Sequence, residues 1–226
     1  MSTNPAACLV LRLEGPLQSW GFEDRFNRRK TGLLPTKSGI LGLCCASLGA
    51  ARGSDREQQW LPRLNALGCL VIALPRHAKE KPLIVRRMED FHTVQNTRTT
   101  DGKIKETHIT HRTYLNDASF AALLTGDRSA LEELAAALQD PVWGVWLGRK
   151  ACIPSAPVFN GFYENETIAL AAILGDRPLS GFTRQREATS FENGTDTFQD
   201  SPITFADPRQ FAPRRVKLWR EGEPEN

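Results

Sequence analysis

The sequence lacks the features that mark secreted, membrane-spanning and zinc-binding proteins. Its 226 residues contain no basic-then-apolar N-terminal signal and no apolar run approaching the length of about 18 residues that a membrane span needs. The five cysteines are an odd number and include no C-x-x-C pair. This usage argues for reduced thiols in a cytoplasm, and against a disulfide framework or a zinc site. We therefore expect a cytoplasmic protein with no membrane contact, no metal and no cofactor.

The overall charge gives little indication of a partner. A net charge of +3 and a pI of about 8.7 are only mildly basic, and 40% hydrophobic residues suffice for a buried core. The distribution of charge is more informative, because Lys and Arg concentrate in three segments, 25–37, 76–112 and 209–220. An anionic partner would be bound by these local concentrations.

The stretch LLPTKSGILGLCCASLGAARG (33–53) places Lys, Ser and Gly where a helix should begin, but it is not a nucleotide-binding loop. Such a loop needs its glycines before the Lys, so that bare backbone N–H groups surround the phosphates. Here Gly32 precedes Lys37 by five residues, and Pro35 has no N–H. What remains is a helix start capped by Thr36 or Ser38, which can still attract a phosphate.

The apolar pattern predicts an α+β chain. Strands are expected over 8–15, 69–76, 118–126 and 145–154, and helices over 35–51, 54–67 (interrupted by Pro62) and 128–140. Strand, helix, strand, strand, helix, strand is the order of a ferredoxin-like fold, whose sheet also serves RNA-recognition modules. We predict such a domain over residues 1–152, followed by a smaller, irregular C-terminal subdomain over 153–226 in which TIALAAIL (167–174) is strand-like.

The segment 77–117 is too long for a turn and predicts an inserted β-ribbon. Two strand-like runs, PLIVRRMEDFHTVQ and KIKETHITHRTYL, flank an Asp101-Gly102 turn signal. From Arg76 to Arg112 nine cations stand against five carboxylates, an excess suited to a phosphate chain. Alternation places one set of residues on a single face: Lys103, Lys105, Thr107, Ile109, His111 and Thr113. A solvated hairpin with scattered charges is the alternative.

The histidines raise an enzymatic hypothesis. His92, His108 and His111 could serve as general acid and base in a metal-free RNA cleavage. His108 and His111 are three residues apart in a strand and point to opposite faces, so a cooperating pair must include His92. No Asp or Glu accompanies them at a spacing typical of a metal site.

Several motifs together resemble the CasD family. They are LVLRLEGPLQSWG (9–21), PTKSGILGLCCASLG (35–49), DFHTV (90–94), THRTYLNDASF (110–120), WLGRK (146–150) and PRQFAPR (208–214). The match runs over nearly the whole chain in the expected order. CasD is the subunit of the type I-E CRISPR surveillance complex, Cascade, that grips the 5′ end of the guide RNA.

The resemblance implies a non-catalytic RNA-binding subunit. Its fold would be ferredoxin-like with a thumb-like ribbon, capping a helical protein filament wound on the RNA. Its partners would be the 5′ handle of the guide RNA, the backbone filament subunit and the large subunit, with target DNA contacted only indirectly. The alternative is an endoribonuclease that cuts the CRISPR precursor, as the related subunit of type I-C systems does.

The resemblance and the charge pattern together predict the residues that contact RNA. They are Lys37, Ser38, Arg98, Lys103, Lys105, His111, Arg112, Trp146, Arg149 and Lys150. Lysines and arginines can neutralise phosphates, Arg112 can also contact a base edge, and Trp146 offers a stacking face. Trp146 stands where a Tyr is expected, and core packing is its alternative role.

Overall fold

The computed structural model describes residues 7–21, 27–78, 81–99 and 101–224. Within these ranges the chain forms thirteen β-strands and four α-helices, so the predicted α+β class is confirmed. The strands are β1 (Ala7–Glu14), β2 (Leu17–Gln18), β3 (Arg28–Arg29), β4 (Gly68–Ala73), β5 (Arg76–Ala78), β6 (Lys81–Leu83), β7 (Arg86–Arg98), β8 (Ile104–Asn116), β9 (Ser119–Gly126), β10 (Phe159–Tyr163), β11 (Arg184–Glu187), β12 (Asp196–Thr204) and β13 (Gln210–Trp219). The helices are α1 (Lys37–Ser47), α2 (Asp55–Asn65), α3 (Arg128–Gln139) and α4 (Glu166–Leu174).

Seven strands form one antiparallel sheet in the order β10-β1-β9-β4-β11-β13-β12. β1 lies inside this sheet and alternates its side chains between two apolar cores. Leu9, Leu11 and Leu13 pack with residues of α1, α2 and α3 on one face, whereas Cys8 and Val10 pack with α4 on the other. Burial on both faces explains why this strand has an almost continuous apolar sequence.

The chain runs through β1, α1 with α2, β4, the inserted ribbon, β9, α3 and β10. This is the predicted order of elements, except that β10 stands where a strand over 145–154 was expected. The C-terminal strands β11, β12 and β13 extend the same sheet because β11 pairs with β4. The division into residues 1–152 and 153–226 stays a prediction; strands from both ranges share one sheet.

The predicted strand over 145–154 is wrong, because the chain turns there. Gly148 has a φ of +92°, and a Cβ at this position would lie 1.7 Å from the carbonyl oxygen of Ser19. Leu147 donates its N–H to the Cys152 carbonyl (2.8 Å) and accepts the N–H of Ser19 (3.0 Å). The segment is therefore a turn fastened to the residues that follow β2.

The interpretation of TIALAAIL as strand-like is also wrong, since these residues lie in α4. Asn165 caps the helix by accepting the N–H of Ile168 at 3.0 Å, and Gly175 ends it with a φ of +61°. A short apolar run does not by itself distinguish a buried strand from a helix.

Pro62 does not interrupt α2. The helix runs through it from Asp55 to Asn65, with Trp60, Leu61 and Leu64 buried against the core. Their burial offsets the backbone hydrogen bond that a proline inside a helix forfeits.

The predicted ribbon consists of two hairpins. β5 pairs with β6, and β7 pairs with β8 from Arg86↔Asn116 to Arg98↔Ile104. We call the second hairpin the β7–β8 ribbon; Gly102 lies in its closing turn with a φ of +81°. Within the described residues, β2 pairs with β8 at residues 115–116 and β3 pairs with it at residues 111–112. Each strand of the β7–β8 ribbon has 13 residues, so at about 3.3 Å per residue the ribbon extends roughly 43 Å.

A buried ionic network fastens the C-terminal strands to the start of α1. The guanidinium of Arg214 donates to both carboxylate oxygens of Asp200, at 2.9 and 2.8 Å, and both side chains are buried. Asp200 also accepts the backbone N–H of Lys37 at 2.8 Å. The bonds of Asp200 to Arg214 and to Lys37 thus connect β12 and β13 to the start of α1. Removal of one partner would be costly, because it would leave a buried charge uncompensated.

Candidate nucleic-acid interface

A groove of about 1060 Å³ runs along α1. Its floor is one face of α1 and the turn that follows, its first wall is the segment 142–149, and its second wall is the turn region between β12 and β13. Ser19, Trp20, Gly21 and Arg29 line it at the base of the β7–β8 ribbon. Since α1 has 11 residues at about 1.5 Å each, this floor is roughly 16 Å long.

The floor is made of small residues. Thr36 is the N-cap of α1 and accepts the N–H of Gly39 at 3.3 Å, as one of the two predicted caps. A Cβ on Gly39 would lie 2.8 Å from the ring of Trp20, and one on Gly42 would lie 3.6 Å from the ring of Phe205. Ser38 is half-buried on this floor, where the RNA contact predicted for it would be made.

The groove is cationic. It is lined by four arginines, Arg29, Arg52, Arg149 and Arg209. None of the described residues that line it is acidic. The exposed side chains of Arg29, Arg52 and Arg209 make no hydrogen bond or ion pair within the described part of the chain. Guanidinium groups without a carboxylate partner are available for phosphate, to which they donate in bidentate fashion.

Arg149 is held in place. Its guanidinium donates to the carbonyls of Thr113 (2.9 Å) and Arg29 (2.7 Å), and it lies 4.7 Å from the ring centroid of Tyr114. It therefore joins the 142–149 wall to β8 and β3 while still lining the groove. The RNA contact predicted for Arg149 stays a prediction. Its guanidinium also has a structural role, because it donates to two backbone carbonyls.

Aromatic side chains accompany the arginines. Trp143 and Trp146 lie on the first wall, and Phe205 and Phe211, with ring centroids 6.3 Å apart, lie on the second. Trp146 is half-buried, and the ammonium of the exposed Lys150 lies 5.8 Å from its ring centroid. The combination of cations and aromatic rings suits a single nucleic-acid strand, whose phosphates and bases need different partners.

The structure argues against the phosphate contact predicted for Lys37. Its side chain is only 2% exposed, and its ammonium donates to Glu187 Oε2 at 2.7 Å and to the Asn65 carbonyl at 2.9 Å. Its charge is already compensated inside the protein, so we correct its role to that of a structural cation behind the groove.

The ribbon residues lie away from the floor. Arg98, Lys103 and Lys105 are exposed around the closing turn, and the Lys103 ammonium lies 3.3 Å from Asp101. Such an exposed ion pair contributes little and leaves the cation available to a phosphate. The RNA contacts predicted for these three residues stay predictions.

His111 and Arg112 lie where β3 joins β8. His111 Nδ1 is 3.0 Å from Glu89 Oε1, and its ring meets Phe91 edge-on at 4.7 Å. Arg112 occupies the opposite face, opposite Asp90 in the ladder, and donates to Thr110 Oγ1 at 3.3 Å. Their predicted RNA contacts stay predictions for two different faces of the ribbon.

Comparison with known proteins places this chain among CRISPR proteins. Residues 8–221 match the family profile for CRISPR-associated protein (Cas_Cas5). The Escherichia coli (strain K12) protein "CRISPR system Cascade subunit CasD" is 34% identical over 221 residues, which span 95% of this chain and 96% of that protein. The chain belongs to the Cas5 family. The resemblance to CasD is thereby confirmed.

Solved structures share the Cas5 fold seen here. One chain of a "CRISPR RNA-guided surveillance complex" aligns with a TM-score of 0.74 and 25% identity, covering 95% of this chain and 90% of that one. "Crystal structure of Cas protein" aligns with a TM-score of 0.65 and 30% identity, covering 96% and 100%.

The three histidines of the β7–β8 ribbon, His92, His108 and His111, do not share one face. His92 Nε2 lies 2.7 Å from Asp90 Oδ2 on one face of the ribbon, and His111 lies on the other. His108 shares the face of His92, one register step away, but its Nε2 is 2.6 Å from Asn27 Oδ1. The pair that a metal-free cleavage would need is thus His92 with His108.

The described part of this Cas5 chain was also compared with the requirements of a metal site, a membrane span and a reactive thiol. No cluster of three metal-ligating side chains occurs there, and no described helix has the length and apolarity to span a bilayer. All five cysteines are buried, without disulfides. Burial raises the pKa of Cys45 to about 12 and of Cys69 to about 11, so these thiols are protonated and poor nucleophiles at neutral pH.

Sequence reasoning missed Arg52, Trp143 and part of the role of Arg209. Arg52 stands alone in a turn, and Trp143 follows the helix-ending Pro141, so neither belongs to a recognisable motif. Arg209 falls in the third basic segment and in the motif PRQFAPR (208–214), and neither gave this residue a role of its own. A basic residue directly after the glycine-rich α1 is the one signal that could have pointed to Arg52.

Proposed function

We propose that this Cas5 protein is a non-catalytic subunit of a type I-E Cascade complex that grips the 5′ handle of the guide RNA. The groove along α1 carries the proposal. Among the described residues, the side chains of three of its four lining arginines have no partner, aromatic rings accompany them and no carboxylate lines it, a combination that suits single-stranded RNA. Two relatives support it, since one is named a Cascade subunit and the other comes from an RNA-guided surveillance complex.

The architecture supports the same proposal. The order β10-β1-β9-β4, visited as strand, helices, strand, strand, helix, strand, is that of a ferredoxin-like, RNA-recognition-type domain. In the cytoplasm this domain would cap the backbone filament, beside the large subunit, and would meet target DNA only through the guide.

The β7–β8 ribbon and the groove form two parts of one clamp. Arg149, through Thr113 and Arg29, connects the groove wall to β8 and β3 at the base of the ribbon. An RNA strand leaving the groove at Arg29 would meet Arg112 on β8 and then the cations of the distal ribbon. We infer that the groove holds the handle and the ribbon closes over the adjoining nucleotides.

Salt tests whether phosphates are bound. We expect the logarithm of the binding constant for single-stranded RNA to fall with the logarithm of salt concentration, with a slope of about −0.7 per neutralised phosphate. Three to six contacts give a slope of roughly −2 to −4. Fluorescence anisotropy at several salt concentrations measures it, and a flat response would contradict the phosphate clamp.

Single-residue variants separate holding from cleavage. If the protein only binds RNA, we expect His92→Ala, His108→Ala and His111→Ala each to lower the binding free energy by at most about 1–1.5 kcal/mol. Arg112→Ala should cost about 1.5–3 kcal/mol, because a guanidinium makes charge-assisted bonds. The measurement is binding and cleavage of one labelled repeat RNA by these variants, side by side, without metal.

An endoribonuclease would behave differently. Loss of His92 or His108 would lower its cleavage rate by about a hundred- to ten-thousandfold while leaving affinity nearly intact. Specific cutting by the parent protein that disappears in either variant would replace our proposal with the enzymatic one.

A further inference from the structure

Trp143 differs from the other tryptophans of the chain. It is 43% exposed, whereas Trp20, Trp60 and Trp219 are buried. Trp146 is half-buried with an ammonium near its ring. In the described part of the chain, no cation or aromatic ring packs on Trp143. Trp143 lines the groove, so its partly open ring is within reach of a ligand bound there.

The backbone under Trp143 is fixed. Its N–H donates to the Ala46 carbonyl at 3.3 Å, and the N–H of Val142 donates to the Ser47 carbonyl at 3.0 Å. These two bonds satisfy carbonyls at the C-terminal end of α1. Val142 also lies against Gly49, where a Cβ would meet its side chain at 3.0 Å. The indole is thus presented from a rigid support, which lowers the entropic cost of binding a ligand.

Two of the lining arginines, Arg52 and Arg209, come from the turns where the floor meets the walls, and neither has a side-chain partner among the described residues. Gly49 touches Val142 on the first wall, and a Cβ on Gly53 would lie 3.3 Å from Ala206 in the second. The α1–α2 turn therefore bridges both walls, and Arg52 lies within it. Arg209 lines the groove from the turn region that contains Ala206. This part of the groove combines an open aromatic face with two guanidinium groups that have no partner in the described ranges.

We propose that Trp143 is a stacking platform for one unpaired base of the bound RNA, with Arg52 and Arg209 on the flanking phosphates. The inference rests on the proposed function and adds a subsite to it. Stacking uses the π-face that every base has, so this subsite tolerates any base and selects an unpaired nucleotide.

Matched variants test the stacking role. Against a labelled repeat-derived RNA octamer, Trp143→Ala and Trp143→Leu should each lose about 5- to 100-fold in affinity, and Trp143→Phe much less. Leu keeps the apolar bulk without the π-face, so it separates stacking from simple burial. Thermal melts of all three variants should match the parent, because the side chain is not part of the core.

Abasic substitution identifies the stacked nucleotide. Octamers with one base removed at each position in turn should weaken binding to the parent protein, most strongly at one position. Trp143→Ala should show no such loss at that position. RNA should also quench tryptophan emission of the parent and of Trp146→Phe more strongly than that of Trp143→Phe.

The outcomes separate this inference from the proposed function. If Trp143→Ala and Trp143→Leu bind as the parent does while loss of Arg52 and Arg209 weakens binding, the stacking platform is wrong and the groove remains the RNA site. If neither set of variants changes affinity, both fail. Equal losses in Trp143→Leu and Trp143→Phe would also overturn the stacking role.

Discussion

Replacing residues 96–106 by Asn-Gly is expected to abolish retention of guide RNA in the assembled complex while the sheet stays folded. Asn-Gly is suited to a two-residue hairpin turn, and it would close the ladder at the Gln95↔Thr107 pair. The described residues in the replaced segment are exposed or half-buried, so the core is unchanged. Loss of the three cations Arg98, Lys103 and Lys105 removes charge-assisted contacts of about 1.5 kcal/mol or more each, together roughly a thousandfold in affinity.

A control variant with the full ribbon length separates the effect of the distal charges from the effect of ribbon length. Arg98→Gln, Lys103→Gln and Lys105→Gln together keep the ribbon's length and remove its distal cations. If phosphate contact is the mechanism, this triple variant should lose most of the RNA that the shortened ribbon loses, as measured by RNA co-purified per complex. Normal RNA occupancy in the shortened variant would show that the ribbon is not part of the clamp.

Reversing the charge of the two groove arginines should have the second largest effect. Arg52→Glu with Arg209→Glu is expected to weaken binding of single-stranded RNA by at least about a hundredfold, because two charge-assisted contacts become repulsions. Both side chains are exposed and unpaired within the described residues, so the substitutions leave the free energy of unfolding nearly unchanged. Fluorescence anisotropy with a labelled repeat RNA measures the change.

The matched control carries the same change in net charge elsewhere. Arg56→Glu with Arg220→Glu alters two exposed arginines that do not line the groove. A groove-specific site predicts a loss of only a few-fold for this control. Equal losses in the two double variants would mean that the protein attracts RNA by overall charge and has no groove site.

The sequence predicted the elements whose signals are local. β1 is an almost continuous apolar run, α1 is an apolar run behind an N-cap, α3 is an amphipathic helix with an N-cap, and the Asp101-Gly102 turn has a sequence signature of its own. The ribbon followed from strand-like runs on either side of that turn. The helix α4 was missed because its run is apolar on all sides, so that only its ends, the cap at Asn165 and Gly175, carried helical signals.

The candidate site was predicted less well, because a groove is made by residues that are distant in sequence. The interpretation of Lys37 shows the limit: its place at a helix start suggested a phosphate contact. The partner that occupies its ammonium, Glu187, lies 150 residues further along the chain. Arg52, Trp143 and Arg209 likewise became a group only through the contacts of Gly49 with Val142 and of Gly53 with Ala206.

The Asp200–Arg214 pair, which positions the second wall of the groove against α1, has a consequence for the order of events during synthesis. The groove needs its floor from α1, its first wall from 142–149 and its second wall from the region around Phe205 and Phe211. A ribosome-bound chain has α1 and the ribbon long before it has the second wall. The proposed handle site is therefore incomplete until translation has passed Arg214, and the guide RNA would meet a complete groove only after that point.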